Sequence, residues 1–225
     1  MNLSKYKEIE SKLKEKGVKL VAVSKTKPAE DIHVLYKEGQ RVFGENKVQE
    51  LCDKVEQLPD DIQWHMIGHL QRNKVKYIAP FVALIHGVDS LKLLKEINKQ
   101  GRKNERKIPV LLQMHIAEEE SKFGLDKTEL NDIIALHPLE NFPNIEICGL
   151  MGMATFTDDK EKIRREFQLL KQYFDNLKTG YFAQSNAFNE LSMGMSGDYE
   201  IALEEGSTML RIGSLIFGER DYQKV

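Results

Sequence analysis

The amino-acid sequence predicts an α/β protein folded as a closed (β/α)8 TIM barrel with an extra N-terminal helix. Short apolar, β-branched segments alternate with longer amphipathic segments about eight times, in one regular order. The 225 residues, 41% of them apolar, are enough for one such barrel with a packed core. No change of composition marks a boundary, so we expect a single domain over residues 1–225. An open, doubly wound sheet is the alternative fold.

The first half of the chain predicts four strand–helix units after a leading amphipathic helix at about residues 3–16. The first strand is a β-branched apolar run, and the helix after it begins near Pro28 and stops at Gly39. The third strand closes at Gly68 and precedes a basic helix, and Ser90 caps the helix after the fourth strand. The predicted strands of this half cover about residues 20–24, 41–44, 62–67 and 81–86.

The second half predicts four more units. A long polar loop, residues 118–124, follows the fifth strand. The helix after the sixth strand has a strong apolar stripe at helical spacing, which indicates one face packed on a sheet. The stripe comprises Ile163, Phe167, Leu170, Phe174 and Leu177, and the predicted strands are 108–114, 144–150, 191–195 and one that begins at 209.

Composition narrows the classes of function. The chain carries 33 Lys and Arg against 35 Asp and Glu, a formal net charge of -2, which predicts no nucleic-acid binding. Its two cysteines, Cys52 on a predicted helix and Cys148 on a predicted strand, form neither a zinc pattern nor a disulfide framework. The chain starts without an apolar signal core, and no segment reaches transmembrane length. We therefore expect a cytoplasmic protein without membrane partners.

Lys25 follows the first apolar strand. The alternation of side chains places it on the same face as Val21 and Val23. One interpretation is a strand-end lysine that lays its stem along apolar surface and keeps its ammonium in water. The other is a desolvated amine, held near Lys27, that is activated to condense with a carbonyl.

The ends of strands seven and eight carry small and hydroxyl residues, where barrels of this class often bind phosphate. Ser196 is placed to cap the helix after strand seven, and a helix start offers N–H groups to an anion. Gly213 allows a close backbone approach after strand eight, and Ser214 adds a hydroxyl. The alternative for Ser196 is a helix cap alone. Together the two neighbouring strand ends predict a phosphate cup.

Arg211 and Asn46 are two further candidates. Arg211 lies within a buried strand and needs an acceptor, because a guanidinium keeps its proton and is costly to bury unpaired. That acceptor is either a structural carboxylate or a ligand atom inside the barrel. Asn46 is either an amide at the rim after strand two or a cap of the next helix.

His65 and His69 suggest a metal site, but their spacing shares a face only on a helix. This segment predicts a strand and a turn, and no carboxylate or cysteine accompanies the two histidines at a useful spacing. We therefore predict no metal. We expect His65 in the core or beside the site, and His69 in the loop.

Five motifs, in order along nearly the whole chain, are shared with a known family. They are AVSKTKP at 22–28, FGENKVQE at 43–50, WHMIGHLQRNK at 64–74, LSMGMS at 191–196 and GSTMLRIGS at 206–214. On these motifs the sequence closely resembles the pyridoxal phosphate homeostasis proteins. These are single-domain relatives of the N-terminal barrel of alanine racemase, which is fold type III of the pyridoxal-phosphate proteins.

The resemblance implies a single domain that binds pyridoxal 5′-phosphate (PLP). Lys25 would form the Schiff base with the pyridoxal aldehyde, and Arg211 would face the pyridine nitrogen. The family usually has threonine where this chain has Ser214, and the hydroxyl is kept. The other residues implied are Asn46 beside the cofactor and Ser196, Gly213 and Ser214 at the phosphate.

The resemblance also implies a role in intracellular vitamin B6 homeostasis. An arginine at the pyridine nitrogen keeps that nitrogen unprotonated and weakens the ring as an electron sink. Alanine racemase takes a second acid/base tyrosine from a C-terminal β-domain, whereas this chain ends directly after strand eight. We therefore expect a monomeric carrier without a full catalytic set rather than an enzyme, with PLP and PLP-dependent apo-enzymes as partners.

Two alternatives stay open. The first is a weak amino-acid racemase in which His65 or a rim tyrosine is the second base, and sustained exchange of the substrate α-hydrogen would support it. The second is a Schiff-base aldolase or sugar-phosphate enzyme on the same barrel. Borohydride trapping of Lys25 only in the presence of a keto-phosphate would support that reading.

Overall fold

The computed structural model describes residues 1–119 and 123–218. Eight parallel strands close into one barrel in sequence order, with the first paired to the last, so the predicted barrel is confirmed and the open sheet is wrong. The strands are Lys19–Val23 (β1), Val42–Glu45 (β2), Gln63–Met66 (β3), Leu84–Val88 (β4), Ile108–Gln113 (β5), Ile145–Met151 (β6), Glu190–Ser192 (β7) and Met209–Ile212 (β8).

Helices surround the barrel, and the predicted N-terminal helix precedes β1. Local signals start several of them: Ser90 Oγ accepts the N–H of Leu93 at 3.3 Å, and Asp126 forms a capping box with Glu129. The helices are Leu3–Glu15 (α1), Ala29–Lys37 (α2), Val48–Val55 (α3), Val75–Ile78 (α4), Leu91–Lys103 (α5), Lys127–Ala135 (α6), Pro138–Asn141 (α7), Lys160–Thr179 (α8), Tyr199–Glu204 (α9), Ser214–Phe217 (α10) and the 3₁₀ helix Arg72–Lys74.

Several predicted element boundaries differ from the structure. The fourth strand, expected over about 81–86, spans Leu84–Val88, because the N–H groups of Phe81 and Val82 still bond to the last turn of α4. The strand expected over 191–195 stops at Ser192, because Gly194 has φ 96° and the chain turns there into α9. The helix expected through 72–76 is divided between the 3₁₀ helix and α4. α3 begins at Val48 with Lys47 at its cap position, so the cap interpretation of Asn46 is wrong. Part of the polar loop, residues 120–122, lies outside the described residues.

The core has two parts. One layer packs the helices against the outside of the barrel, and a smaller apolar cluster fills the inside. Lys19 and Glu190 form an ion pair at the N-terminal edge of the strands. Within residues 1–119 and 123–218, no helix combines the length and the apolarity needed to cross a membrane. The interior cluster contains Val21, Leu84, Leu111, Met151 and Met209.

Candidate functional site

Four neighbouring strands carry the predicted site residues at their C-terminal ends. β7, β8, β1 and β2 are consecutive around the closed barrel. Lys25 lies two residues beyond the end of β1, and Asn46 directly follows β2. Ser196 lies four residues beyond β7, while Gly213 directly follows β8 and Ser214 begins α10. These residues share one sector of the rim at which barrels of this class bind their ligands.

The loops after β7 and β8 meet at Ser196. Its Oγ accepts the backbone N–H of Gly213 at 3.3 Å. The expected cap of α9 at Ser196 is wrong, because Asp198 occupies the cap position and its Oδ1 accepts the N–H of Met195 at 2.6 Å. A Cβ on Gly213 would lie 3.2 Å from the carbonyl oxygen of Val23. The loops after β7 and β8 therefore converge with the end of β1 at this point, and the absence of a side chain at Gly213 permits the close approach.

Arg211 faces the inside of the barrel. Its neighbours Leu210 and Ile212 pack in the outer core, so the alternation along β8 turns the guanidinium inward. Nη1 donates to Ser192 Oγ at 2.6 Å, and Nη2 donates to the carbonyl oxygen of Gly152 at 3.0 Å. These acceptors are a hydroxyl and a carbonyl, not the structural carboxylate considered from the sequence. Burial lowers the pKa of Arg211 to about 10, so the guanidinium stays a cation at neutral pH.

A chain of hydrogen bonds continues from Ser192 through the barrel. His86 Nδ1 lies 3.1 Å from Ser192 Oγ, and His86 Nε2 lies 3.0 Å from His65 Nδ1. Because Arg211 only donates, the Ser192 oxygen accepts its bond, and the nitrogen of His86 that carries the proton sets the direction of the other two bonds. Burial lowers the pKa of His65 to about 3 and that of His86 well below its usual range, so both rings are neutral. The expected burial of His65 is confirmed.

The backbone around Lys25 forms a tight turn. The N–H of Lys27 donates to the carbonyl oxygen of Ser24 at 3.0 Å, which places Lys25 and Thr26 at the two central positions. Thr26 has φ 64°, a left-handed conformation that β-branched residues rarely adopt. Lys27 Nζ donates to the carbonyl oxygen of Phe217 at 3.2 Å, which ties the turn to α10. Lys25 itself is half-buried.

A charged cluster, which we call the Lys54 cluster, consists of Lys54, Glu45 and Glu50 and lies behind this turn. Lys54 Nζ donates to the carbonyl oxygen of Ser24 at 2.9 Å. The same ammonium donates to Glu45 Oε1 and to Glu50 Oε1, both at 2.7 Å. Ser24 Oγ donates to Glu45 Oε1, and the N–H of Thr26 donates to Glu50 Oε1, both at 2.6 Å. Burial raises the pKa of Glu45 to about 7, against the attraction of Lys54.

Reasoning from the sequence missed Ser192, His86 and the Lys54 cluster. Ser192 and His86 lie within predicted strands. Arg211 and His65 face the inside of the barrel, but the alternation of side chains identifies Ser192 and His86 as their neighbours only when the register of the strands is known. Glu50 and Lys54 stand four residues apart on α3, a spacing typical of a solvent-exposed pair. Nothing in that spacing signals that Lys54 is buried.

The grouping of a lysine, two hydroxyl-bearing loops and a buried guanidinium could bind a small anionic molecule. A cavity of about 570 Å³ lies outside this sector, beside the loops after β3 and β4, and none of the six predicted site residues lines it.

The two histidines considered for a metal site have different partners. His69 Nδ1 lies 2.9 Å from Asp89 Oδ2, whereas His65 pairs with His86. In the part of the chain that the structure describes, no three His, Cys, Asp or Glu side chains could hold a metal ion.

Comparison with known proteins gives one consistent answer. The family model of the alanine racemase N-terminal domain matches residues 3–221. The pyridoxal phosphate homeostasis protein of Aquifex aeolicus is 43% identical over 209 residues, which cover 92% of this chain and 90% of that protein. The human protein of the same name is 42% identical over 216 residues, covering 92% and 78%. The structure of PipY from Synechococcus elongatus with PLP bound has a TM-score of 0.86 at 32% identity, covering 97% of this chain and 100% of that chain.

The fold and the polar rim, with the family match, define a barrel of the alanine racemase N-terminal domain class. Within that class, the chain belongs to the family of pyridoxal phosphate homeostasis proteins. The resemblance carried by the five sequence motifs is therefore confirmed.

Proposed function

We propose that this chain binds PLP reversibly on Lys25 and serves as a carrier in cytoplasmic vitamin B6 homeostasis, without turning over a substrate. The observation that carries the proposal is the grouping of a lysine, two joined hydroxyl- and glycine-bearing loops and a buried arginine on adjoining strands. The names of its relatives and the PLP-bound structure of PipY support the same ligand here. When bound, PLP supplies an aldehyde that a lysine amine can take up as a Schiff base.

The residues at the ends of β7 and β8 fit a phosphate. The absence of a side chain on Gly213 lets this loop approach Val23 closely, because a Cβ would lie 3.2 Å from the carbonyl oxygen of Val23. Ser196 and Ser214 would offer hydroxyls, and Asn46 would lie beside the cofactor on the opposite side of β1. The donors would thus hold the phosphate on one side of Lys25.

Arg211 supports a holding role. A guanidinium that donates toward the pyridine nitrogen leaves that nitrogen without a proton, so the ring is a weak electron sink. A transaminase or a decarboxylase is better served by a carboxylate at that position. Arg211 is fixed by its bonds to Ser192 and Gly152, which keep the cation inside the barrel.

His65 is poorly suited to the racemase alternative. Burial lowers its pKa to about 3, and its Nδ1 already pairs with His86. An acid/base group for racemisation needs a pKa nearer to neutral pH. The racemase alternative then depends on a rim tyrosine.

Borohydride reduction of the PLP-loaded protein, followed by peptide mass spectrometry, tests the proposal. We expect the pyridoxyl group on Lys25 and its loss in Lys25→Ala. Lys27→Ala is the matched control, because it removes the neighbouring amine, which donates to Phe217. That variant should keep the label on Lys25.

Three results would contradict the carrier. Absence of a label, or a label spread over lysines such as Lys74 and Lys76, would show that Lys25 is not the binding site. A label that needs a keto-phosphate would indicate an aldolase. Sustained exchange of an amino acid's α-hydrogen with deuterium from solvent would indicate a racemase.

The proposed partners are open to a direct test. The loaded carrier should restore activity to a PLP-dependent apo-enzyme when the free cofactor has been removed by gel filtration. Lys25→Ala, treated in the same way, should restore none. Sedimentation of the loaded protein should give the mass of a monomer, 25.9 kDa.

A further inference from the structure

Both neighbours of Lys25 are held from outside the barrel. Lys54 donates to the carbonyl oxygen of Ser24, and Glu50 accepts the N–H of Thr26. Glu45 lies on the outer face of β2, because Val42 packs in the interior cluster and Phe43 packs in the outer core. The Lys54 cluster therefore reaches Lys25 through the backbone of the turn and not through the inside of the barrel.

The turn needs such support because of Thr26. This residue has φ 64° at the third position of the turn, where glycine is favoured. A β-branched residue in this conformation is strained and persists only when its surroundings impose it. The bonds from Lys54 and Glu50, at 2.9 and 2.6 Å, fix the peptide groups on both sides of Lys25.

Stability alone gives no reason for this cluster. Glu45 is fully buried, Lys54 is 5% exposed, and Glu45 Oε2 has no hydrogen-bond partner among the described residues. Buried ion pairs are often replaced by apolar residues without loss of stability. The ammonium of Lys54, however, donates its three protons to three different oxygens. These bonds fix the relative positions of Ser24, Glu45 and Glu50.

We propose that Glu45, Glu50 and Lys54 are positioning residues for Lys25, which hold its strained turn so that the amine meets the aldehyde in one orientation. The inference rests on the proposed function of Lys25 and adds three residues from β2 and α3 to it. None of the three would touch the ligand. They act through Ser24 and Thr26.

Variants at Glu50 and Lys54 test the positioning role. We expect Glu50→Ala and Lys54→Met to weaken the apparent PLP affinity, measured by labelling of Lys25, about tenfold. Glu50→Gln keeps an oxygen that accepts the N–H of Thr26 and should stay near the wild type. Glu190→Gln, which breaks the ion pair with Lys19 at the opposite edge, is the matched control and should bind normally.

A second substitution provides a rescue. Glycine adopts φ 64° without strain, so Thr26→Gly added to Glu50→Ala should recover most of the lost affinity. Wild-type affinity in Glu50→Ala, an equal loss in Glu190→Gln, or no rescue by Thr26→Gly would each overturn the positioning role. Because the Glu50 side chain is 22% exposed, its variants should fold even if Lys54→Met does not.

Hydrogen exchange in the ligand-free protein separates this inference from the proposed function. The N–H of Thr26 should exchange at least about tenfold faster in Glu50→Ala than in the wild type, because its acceptor is gone. If the wild type takes no label on Lys25, the proposed function fails on its own. Unchanged exchange at Thr26 would overturn the positioning role whatever the labelling shows.

Discussion

Glu45 is a single side chain that links folding to pH. Burial raises its pKa from 4.5 to about 7, although Lys54 and the Ser24 hydroxyl oppose the change. Between these two values the folded chain keeps a proton that the unfolded chain has lost. The stabilising contribution of this proton is present below pH 4.5 and is lost as pH rises through 7.

Glu45→Gln should remove that pH dependence. From pH 5 to pH 8, we expect the unfolding free energy of the wild type to fall relative to the variant by up to about 3 kcal/mol. Urea unfolding at a series of pH values measures the difference. Glu146→Gln, at a partly exposed pair with Lys107, is the control. A difference between wild type and Glu45→Gln that is constant with pH would contradict the prediction.

The two buried histidines act in the opposite direction. The pKa of His65 falls to about 3 and that of His86 falls well below its usual range, so the folded chain keeps both rings neutral. In the unfolded chain they take up protons below about pH 6.5. Their contribution to stability is therefore present above pH 6.5 and is lost as pH falls toward 3.

His65→Gln should make the unfolding free energy depend less steeply on pH in the acid range. We expect the dependence of unfolding free energy on pH, between pH 4 and 6, to decrease by up to about 1.4 kcal/mol per pH unit. Guanidinium unfolding at fixed pH values gives the slope. The exposed His33, replaced in the same way, is the control. Equal slopes in the two variants would show that His65 does not titrate on unfolding.

At the scale of elements, Gly149 controls the contact between β6 and β7. It has φ 154°, and a Cβ there would collide with the carbonyl oxygen of Glu190. Gly149→Ala should lower the unfolding free energy by more than about 2 kcal/mol, because backbone must move to make room. Gly197→Ala is the matched control, since a Cβ at Gly197 meets nothing within 4 Å. Thermal unfolding that is equally affected by both changes would contradict this account.

The sequence predicted the strands better than the helix caps. β-Branched apolar runs identify strands such as β1 and β5 locally, because a buried parallel strand is apolar along its whole length. The capping roles considered for Asn46 and Ser196 were wrong, because a cap depends on where the chain turns into the helix. After β7 that point is set by the left-handed conformation of Gly194 and by the bond from the N–H of Met195 to Asp198, and residue type alone predicts neither of them.

At the scale of the whole molecule, Cys148 reports on the integrity of the barrel. Burial, with Glu146 and Glu190 nearby, raises the pKa of its thiol to about 12, so the reactive thiolate is scarce in the folded chain. At pH 8 we expect a thiol reagent to modify Cys148 over the same urea range in which circular dichroism shows the barrel unfolding. Cys52, on α3, is the internal comparison within each sample.

Rapid modification of Cys148 in the absence of urea would contradict this prediction. It would show that the barrel opens locally at β6 without unfolding as a whole. Far-UV circular dichroism of the modified protein, recorded alongside the labelling, would distinguish the two cases.

The location of the candidate site followed from the fold class, whereas its internal contacts did not. Once a barrel is predicted, the C-terminal strand ends select Lys25 and Gly213 without further information. Ser192 becomes a neighbour of Arg211, and His86 a neighbour of Ser192, only through the register of three different strands. Such contacts depend on distances across the barrel, which no local pattern of residues encodes.

The pairing of β1 with β8 also bears on how the protein is made. Lys19 pairs with Met209 and Ala22 with Ile212, so the barrel closes through contacts between the two ends of the sheet. Contacts at such sequence separation form late and slow folding. During synthesis, the loop of Gly213 can therefore join the turn of Lys25 only after β8 has been synthesised. The site proposed for PLP would therefore form only after the strands at both ends of the barrel have been synthesised.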